Sequence, residues 1–537
     1  MAKTSLFDRL RRSFRRAAHA EHAKISTSEV LERREAELSR RALLRAAGAT
    51  VGGVAATQVL AACGGTVAED EASGTVLSAL QSDARIVIVG AGLAGMTCAY
   101  RLGQRGLAAR VYDANNRVGG RTFTHRSPAF PNRIELGGEL IDTNHATMQT
   151  LVRELGLTLV DVAEATAGLE YERYFFGNRH YTEAQIIDAY RPVAKKLRAD
   201  FKSIGQPRYS TYDAFTPRGR ELDRKSIAQW LDENDVSGPI RTLLDVGYTA
   251  EYGGEIDTQS FLNLLHLISF DPDPFLIYGE SDERYTIKEG NDSIATRIAA
   301  QLANPVTLGH ELAAVRERSD GSLLVTFERG NGSTVDVVAD KLVLAIPFNQ
   351  LRKCDLRIPL GAAKKKSLTR LAYGKNSKVT ARVSSRPWVA AGSSGTSFND
   401  RGYMESWDAS RGFPGAAATV THFGGGNVAI GMGSGTAVSQ AKSFLDRLDV
   451  VYPGVRAAFT GEAVRMHWPT AKYFEGSYAI YTPGDYTTFV GSEGESEGNV
   501  HFAGEHTSVD FQGWMEGAAE SGERVAKEIR KALKMPA

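Results

Sequence analysis

The sequence predicts an α/β protein, and three stretches carry that expectation. From Arg85 to Arg121 an apolar run, a glycine loop, a helical stretch, a second apolar run and an acid follow one another. Residues 145 to 283 repeat apolar side chains at helical spacing. Near the end, Val500 to Ser508 (VHFAGEHTS) reads as a strand closing on Ala-Gly-Glu, and the turn at Gly513 to Gly517 opens a helix reaching Lys534. Ligands of α/β sheets bind outside the carboxyl ends of the strands, where Gly504 and Glu505 fall.

In the first stretch, Ile86 to Val89 leads into Gly90-Ala91-Gly92-Leu93-Ala94-Gly95, a G-x-G-x-x-G. Gly90 permits the tight strand-to-helix turn. Gly92 lets the backbone approach a pyrophosphate, and Gly95 allows helix and strand to pack closely. The helix, expected to about Arg105, offers free N–H groups and a positive dipole end to phosphates. A strand at Ala109 to Tyr112 then places Asp113 where a carboxylate reaches a ribose 2′-OH. A lone glycine motif would be weak; the strand, helix and acid around it make it specific. Gly119, Gly120 and Arg121 add close backbone approach and a cationic donor.

This stretch resembles the FAD-binding start of the flavin amine oxidases, the family of monoamine oxidases, polyamine oxidases and L-amino-acid oxidases. The likeness runs from about Arg85 to the end. It implies a Rossmann-like FAD-binding domain interleaved with an α+β substrate domain containing a helical insertion. The FAD-binding parts would be 84–144, 284–350 and 481–537. The substrate domain would take 145–283 as its helical part and 351–480 as its sheet part.

The resemblance also assigns roles. Gly137 and Gly138, in RIELGGELI, would lie by the flavin ring, and Leu312 would back the adenine. Gly504, Glu505 and Met515 belong to the closing FAD motifs, where the N-terminus of the last helix can stabilise negative charge on the ring. Lys378 would hold a water at flavin N5, although a lysine leading an alternating strand is equally a solvated edge residue. Tyr478 and Trp514 map onto the aromatic pair that aligns an uncharged amine with N5; each alone could be a core aromatic. Arg284 to Ile294 resembles a turn with two adjacent glycines, of which only Gly290 is present.

Two departures bear on substrate and linkage. Ser477 stands where monoamine oxidases carry a flavin-linked cysteine, so FAD should be non-covalent. Glu139-Leu140 stands where familiar L-amino-acid oxidases place a carboxylate-binding arginine, yet Trp514 is more like the amino-acid oxidases.

In the helical part, Met148, Leu151, Val152 and Leu155 form one apolar face, and Ile186 to Phe201 another. Asp257 or Thr258 is expected to cap a helix through Phe261, Leu264, Leu265 and Ile268. His266 reads as core. Strands are expected over Pro305 to Val315, Ser322 to Phe327 and Lys341 to Ile346.

The chain has 537 residues, a net charge of +1 and 24% charged residues, which exerts no general pull on nucleic acid. Its three cysteines cannot make a disulfide framework, Cys98 and Cys354 read as structural, and no metal-ligand spacing occurs. Residues 1–63 read as a twin-arginine export signal, with Arg40-Arg41 before a modest apolar run. Leu60-Ala61-Ala62-Cys63 resembles a lipobox, and 64–83 reads as a linker. Export across the cytoplasmic membrane follows, with a lipid anchor at Cys63 as the further expectation and membrane contact only through this segment.

The function expected is an FAD-dependent amine or L-amino-acid oxidase. Hydride passes from the α-carbon to flavin N5, O2 reoxidises the flavin to give H2O2, and the imine hydrolyses. The rivals are a dehydrogenase using a non-oxygen acceptor, an NAD(P)-linked enzyme and a lipid-anchored flavin-binding protein without turnover. The partners expected are a small amine or amino acid and O2, with a homodimer left open.

Overall fold

The computed structural model describes residues 84–535. The export signal, the lipobox at Cys63 and the linker expected over residues 1–83 lie outside them.

Four short strands form a parallel sheet in the order 110–112, 86–89, 341–344, 500–502. Their side chains are almost all buried, as expected for parallel strands covered on both faces. Three distant stretches thus meet in one sheet. Their carboxyl ends deliver Gly90, Asp113, Ala345 and Gly504 to a common edge.

One face of this sheet is covered by the helices Leu93–Gly103 and Met515–Ala532. They touch backbone to backbone: a Cβ on Gly522 would lie 2.4 Å from the Ala94 carbonyl oxygen. Cys98 is buried in this contact, a packing role. Beside the sheet an antiparallel layer runs 334–339, 323–329, 310–317, with 355–357 added parallel to 310–317. Its first strand begins at His310 rather than Pro305, because 305–307 runs beside Tyr112, with Thr307 bridged to that residue.

The second large sheet has seven strands, ordered 459–467, 376–383, 418–425, 405–408, 393–399, 170–176, 179–181. One rung crosses it through Met466, Lys378, Phe423, Glu405, Phe398 and Tyr174, so these side chains share a face. Lys378 is therefore interior, not at an edge, and it is 5% exposed.

The part expected to be helical also supplies the last two strands of this sheet. Its hairpin turns at Gly177-Asn178, both with positive φ (56° and 61°), the two-residue loop that matches strand twist. The remainder is helical, with 183–203, 217–223, 227–233, 238–252 and 261–267. Thr182 with Gln185, and Ser226 with Gln229, form capping boxes. The helix Phe261–Leu267 is capped by Ser260, which accepts from the Leu262 N–H, not by Asp257 or Thr258. Thr258 instead donates to the Glu255 carbonyl in the preceding turn. Among the described residues no helix is long and apolar enough to cross a membrane.

Candidate active site

A cavity of 470 Å³ runs from the carboxyl edge of the parallel sheet to the inner face of the seven-stranded sheet. Of the residues expected in the site, Gly90, Gly92, Asp113, Gly119, Gly120, Arg121, Gly137, Gly138, Leu312, Lys378, Tyr478, Gly504, Glu505, Trp514 and Met515 all line it. Gly95 does not. A Cβ there would lie 1.9 Å from the Gly90 carbonyl oxygen, so its role is helix-to-strand packing.

One end suits a dinucleotide. Gly90 has φ +108°, and a Cβ would meet the Ala345 carbonyl oxygen at 2.5 Å. Gly92 pairs with Gly119, and Gly120 approaches the Gly92 Cα so closely that a Cβ would be 3.0 Å away. Side chains at these positions would fill the cradle. Asp113 lies at the end of its strand and accepts from the N–H groups of Ala91 (2.6 Å) and Asn115 (2.7 Å). It therefore braces the glycine loop from beside the cavity, and burial raises its pKa. Leu312 lies further along, where the Cys354 thiol donates to its carbonyl. Burial pushes that thiol up to about 12, so it stays protonated.

In the middle of the cavity Glu505 joins three chain segments. It accepts from Arg121 (2.8 Å), from the Ala479 N–H (3.2 Å) and from the Gly513 N–H (3.0 Å). Arg121 also donates to the Ser477 carbonyl. Both oxygens of Glu505 are thus occupied by protein donors, and its work is to position its neighbours. Gly137 passes so near Arg121 that a Cβ would lie 1.8 Å from that residue's carbonyl oxygen. Gly138 abuts Met515, and the Asn291 amide donates to the carbonyls of Gly138 (2.9 Å) and Glu139 (2.8 Å). Asn291 follows Gly290 (φ +100°) and is what the single-glycine turn supplies to the site.

The far end holds the chemistry-bearing groups. The Lys378 ammonium donates to the Glu139 carboxylate (2.7 Å), to the Gly137 carbonyl (3.0 Å) and to the Glu135 carbonyl (3.4 Å). The Trp407 indole donates to the other oxygen of Glu139 (2.9 Å). The resemblance implied a lysine holding a water; here its protons point to protein acceptors. Tyr478 donates through its hydroxyl to the Glu251 carbonyl, and its ring packs near Gly513, next to Trp514. Ser477 donates to the Asn376 side chain.

Around this end stand carboxyls that sequence reasoning missed: Asp142, Glu251, Glu283 and Glu405 all line the cavity. Glu251 is the penultimate residue of the helix Gly238–Tyr252. Glu283 has φ +43°, an uncommon conformation for a residue with a Cβ, and its N–H is held by Asp142 (2.9 Å). Glu405 shares the rung of Lys378, two strands and about 10 Å away. Burial, then mutual repulsion, push Glu251 up to about 8 and Glu283 to about 7, and raise Glu405 well above the usual carboxylate range. Asp142 rises to about 6, chiefly by burial. The cations lining the cavity are Arg121, Lys353 and Lys378, each paired with a carboxylate: Glu505, Glu475 and Glu139. Among the described lining residues no guanidinium is left over for a substrate carboxylate. The acids escape a sequence reading because they come from four separate segments with no shared motif. The one local signal, the strained Glu283 backbone, is visible only in three dimensions.

Residues 93–530 match the family model described as flavin containing amine oxidoreductase. Among curated proteins the chain is similar to an L-amino-acid oxidase of Siganus canaliculatus, 25% identical over 83% of this chain and 85% of the relative. It is similar to a pseudooxynicotine dehydrogenase of a Pseudomonas species, 23% identical over 93% and 96%. A putative flavin-containing monoamine oxidase of Mycobacterium tuberculosis is 26% identical over 83% and 97%. Among solved structures, cyclohexylamine oxidase from Brevibacterium oxydans matches with a TM-score of 0.72 at 22% identity, over 84% of this chain and 100% of that one. Putrescine oxidase bound to putrescine matches with a TM-score of 0.70 at 21% identity, over 83% and 99%.

Proposed function

This chain belongs to the family of flavin-containing amine oxidoreductases, which use FAD, and on that premise we propose that it oxidises a positively charged amine rather than an α-amino acid. The observation that carries this reading is the set of cavity carboxyls, Asp142, Glu251, Glu283 and Glu405, with no free cation beside them on the lining. Such a wall favours an ammonium group, which stabilises the ionised form of these acids, over a substrate carboxylate, which would oppose it. A diamine of the putrescine kind fits best, one nitrogen reacting and the other held by the acids. The putrescine and cyclohexylamine oxidases among the solved structures are consistent with an amine but establish only the fold.

Gly90, Gly92, Gly119 and Gly120 with the helix N-terminus at Leu93 would hold the FAD pyrophosphate, Asp113 the ribose, and Gly137, Gly138 and the N-terminus at Met515 the ring. FAD supplies the hydride acceptor when bound. The protein residues do the rest. Tyr478 and Trp514 flank the place of the reacting nitrogen. Lys378, held by Glu139 and Gly137, puts a fixed positive charge on the cavity wall, where it favours negative charge developing nearby. The cofactor is held without a covalent bond, Ser477 standing where a linking cysteine would be, and O2 is the electron acceptor in this reading. Export by the twin-arginine route, read from Arg40 and Arg41, belongs to the same proposal.

A peroxide-coupled screen of diamines, monoamines and the twenty amino acids tests it. Putrescine or a related diamine should give peroxide, and amino acids at least tenfold less. Turnover of amino acids with none of amines would overturn the substrate assignment. Turnover only with an artificial electron acceptor would favour a dehydrogenase, the activity named for the Pseudomonas relative.

A further inference from the structure

Amine oxidation by hydride removal needs the nitrogen lone pair, yet the amine that an acidic cavity attracts arrives as an ammonium. One proton must leave before the hydride does. The described residues lining the reacting end include no histidine; His310, the one histidine on the lining, lies on the strand of Leu312 at the other end. Lys378 is an ammonium already paired with Glu139. That leaves the carboxyls.

Among these, Glu251 is tied most directly to the aromatic slot. The Tyr478 hydroxyl donates to its backbone carbonyl, so ring and glutamate are held at one place. The side chain lines the cavity, and among the described residues no hydrogen-bond donor reaches its carboxyl. The Asp142 carboxylate is engaged by the Glu283 N–H, and Glu405 stands across the cavity on the seven-stranded sheet.

Resting on the proposed amine-oxidase reading, we propose that Glu251 is the general base that removes the proton from the reacting ammonium beside Tyr478. An N–H bond breaks and its electron pair stays on nitrogen. An O–H bond forms on Glu251, the carboxylate becoming a carboxylic acid. No oxidant is consumed in this step. The hydride then leaves the α-carbon of a neutral amine, and the proton is returned to solvent through the cavity before the next turnover.

The setting suits the task. Burial disfavours the charged form of Glu251, as do the facing carboxyls Glu283 and Asp142, which holds its affinity for a proton near neutrality. Glu405 faces the same space, and Tyr252 and Tyr478 pack against it without contributing charge near neutral pH. Arg411 lies near Glu283 and Glu405 and partly offsets their charge.

The test is the pH dependence of anaerobic flavin reduction in the holoenzyme, with putrescine and cyclohexylamine as probes. In the wild type the limiting rate should fall only below about pH 8, as Glu251 takes up its own proton. Glu251→Gln should lose about a hundredfold at pH 7, within the usual worth of a general base, and recover as pH approaches the pKa of the free amine, where the neutral amine is present without a base. Glu251→Asp should restore part of the rate at pH 7. A uniform loss at every pH in both variants, or an unchanged profile in Glu251→Gln, would overturn the role. Should Glu251→Gln fail to retain FAD, Glu251→Asp decides alone: a displaced profile supports the role and an unaltered one refutes it. If wild-type flavin is reduced by neither probe, nor by any amine of the screen, it is the amine-oxidase reading that falls.

Discussion

At the scale of single residues, the pair Lys378 and Glu139 shows how burial couples two side chains. Both are nearly enclosed and joined at 2.7 Å. Removing one partner leaves a buried charge uncompensated, a cost of about 3–5 kcal/mol. Lys378→Met should therefore lower the melting temperature, and Lys378→Met with Glu139→Gln should recover most of it. The same lysine supplies positive charge on the cavity wall. In stopped-flow measurements of the Lys378→Met holoenzyme, flavin reoxidation by O2 should slow by about ten- to a thousandfold, and anaerobic reduction by less. Equal rates in variant and wild type would return Lys378 to a purely structural role. The resemblance picked out this lysine by its place in YGKNSKVT, but its partner was legible only as a departure at position 139. The pair is 239 residues apart, and only the packing of the loop that carries Glu139 against the seven-stranded sheet brings it together.

At the scale of elements, the contact of the first and last helices is decided by glycine. The last helix has a Gly522 whose missing Cβ admits the Ala94 carbonyl; a methyl would lie 2.4 Å from that oxygen and 2.9 Å from the Thr97 Cβ. Gly522→Ala should cost about 1–3 kcal/mol in thermal unfolding, the range for overpacking, and weaken FAD retention because the same helix begins at the cavity. Gly103→Ala is the contrast, in a helix and with nothing within 4 Å. There the gain in helix propensity should be neutral to stabilising by about 1 kcal/mol. Similar melting temperatures for the two variants would show that the helix contact relaxes freely. The hairpin at Gly177-Asn178 was equally available in the sequence, as a glycine-asparagine pair directly after Tyr174-Phe175-Phe176. It is masked there by its position among helical segments.

At the scale of the molecule, buried ionisable groups set how stability varies with pH. Glu135, Glu172 and Glu283 are raised to about 7, and Glu251 and Glu493 to about 8, in each case first by burial. A carboxyl raised in the folded state holds its proton where the unfolded chain, titrating near 4.5, has lost it. Folded protein binds the extra protons between those values, so stability falls as pH rises through that window. Buried His145, His266 and His422 act oppositely. Their pKa values are lowered to about 4, 4 and 3, so stability also falls as pH drops below about 6.5. By differential scanning calorimetry the substrate-free holoenzyme should therefore melt lower at pH 8.5 than at pH 6, since above about pH 6.5 the histidine contribution is spent and only the carboxyl contribution remains. A monotonic rise from pH 6 to 8.5 would contradict it. A cationic amine in the cavity should flatten the alkaline arm, since it compensates the ionised acids.

The sequence by itself determined the nucleotide end of this protein. The glycine loop, Asp113, the second glycine pair and the closing AGEHTS and GWMEG turns are short runs whose residue types show their role before their partners in space, such as Ala345 opposite Gly90, are known. What only the tertiary structure decided is the reacting end. Asp142, Glu251, Glu283 and Glu405 carry no motif, and each alone reads as an ordinary polar residue. Packing the helical segments against the seven-stranded sheet brings them together around Tyr478, takes them out of bulk solvent and raises their proton affinity. Desolvation and charge–charge repulsion depend on distances in space, and spacing along the chain does not encode them.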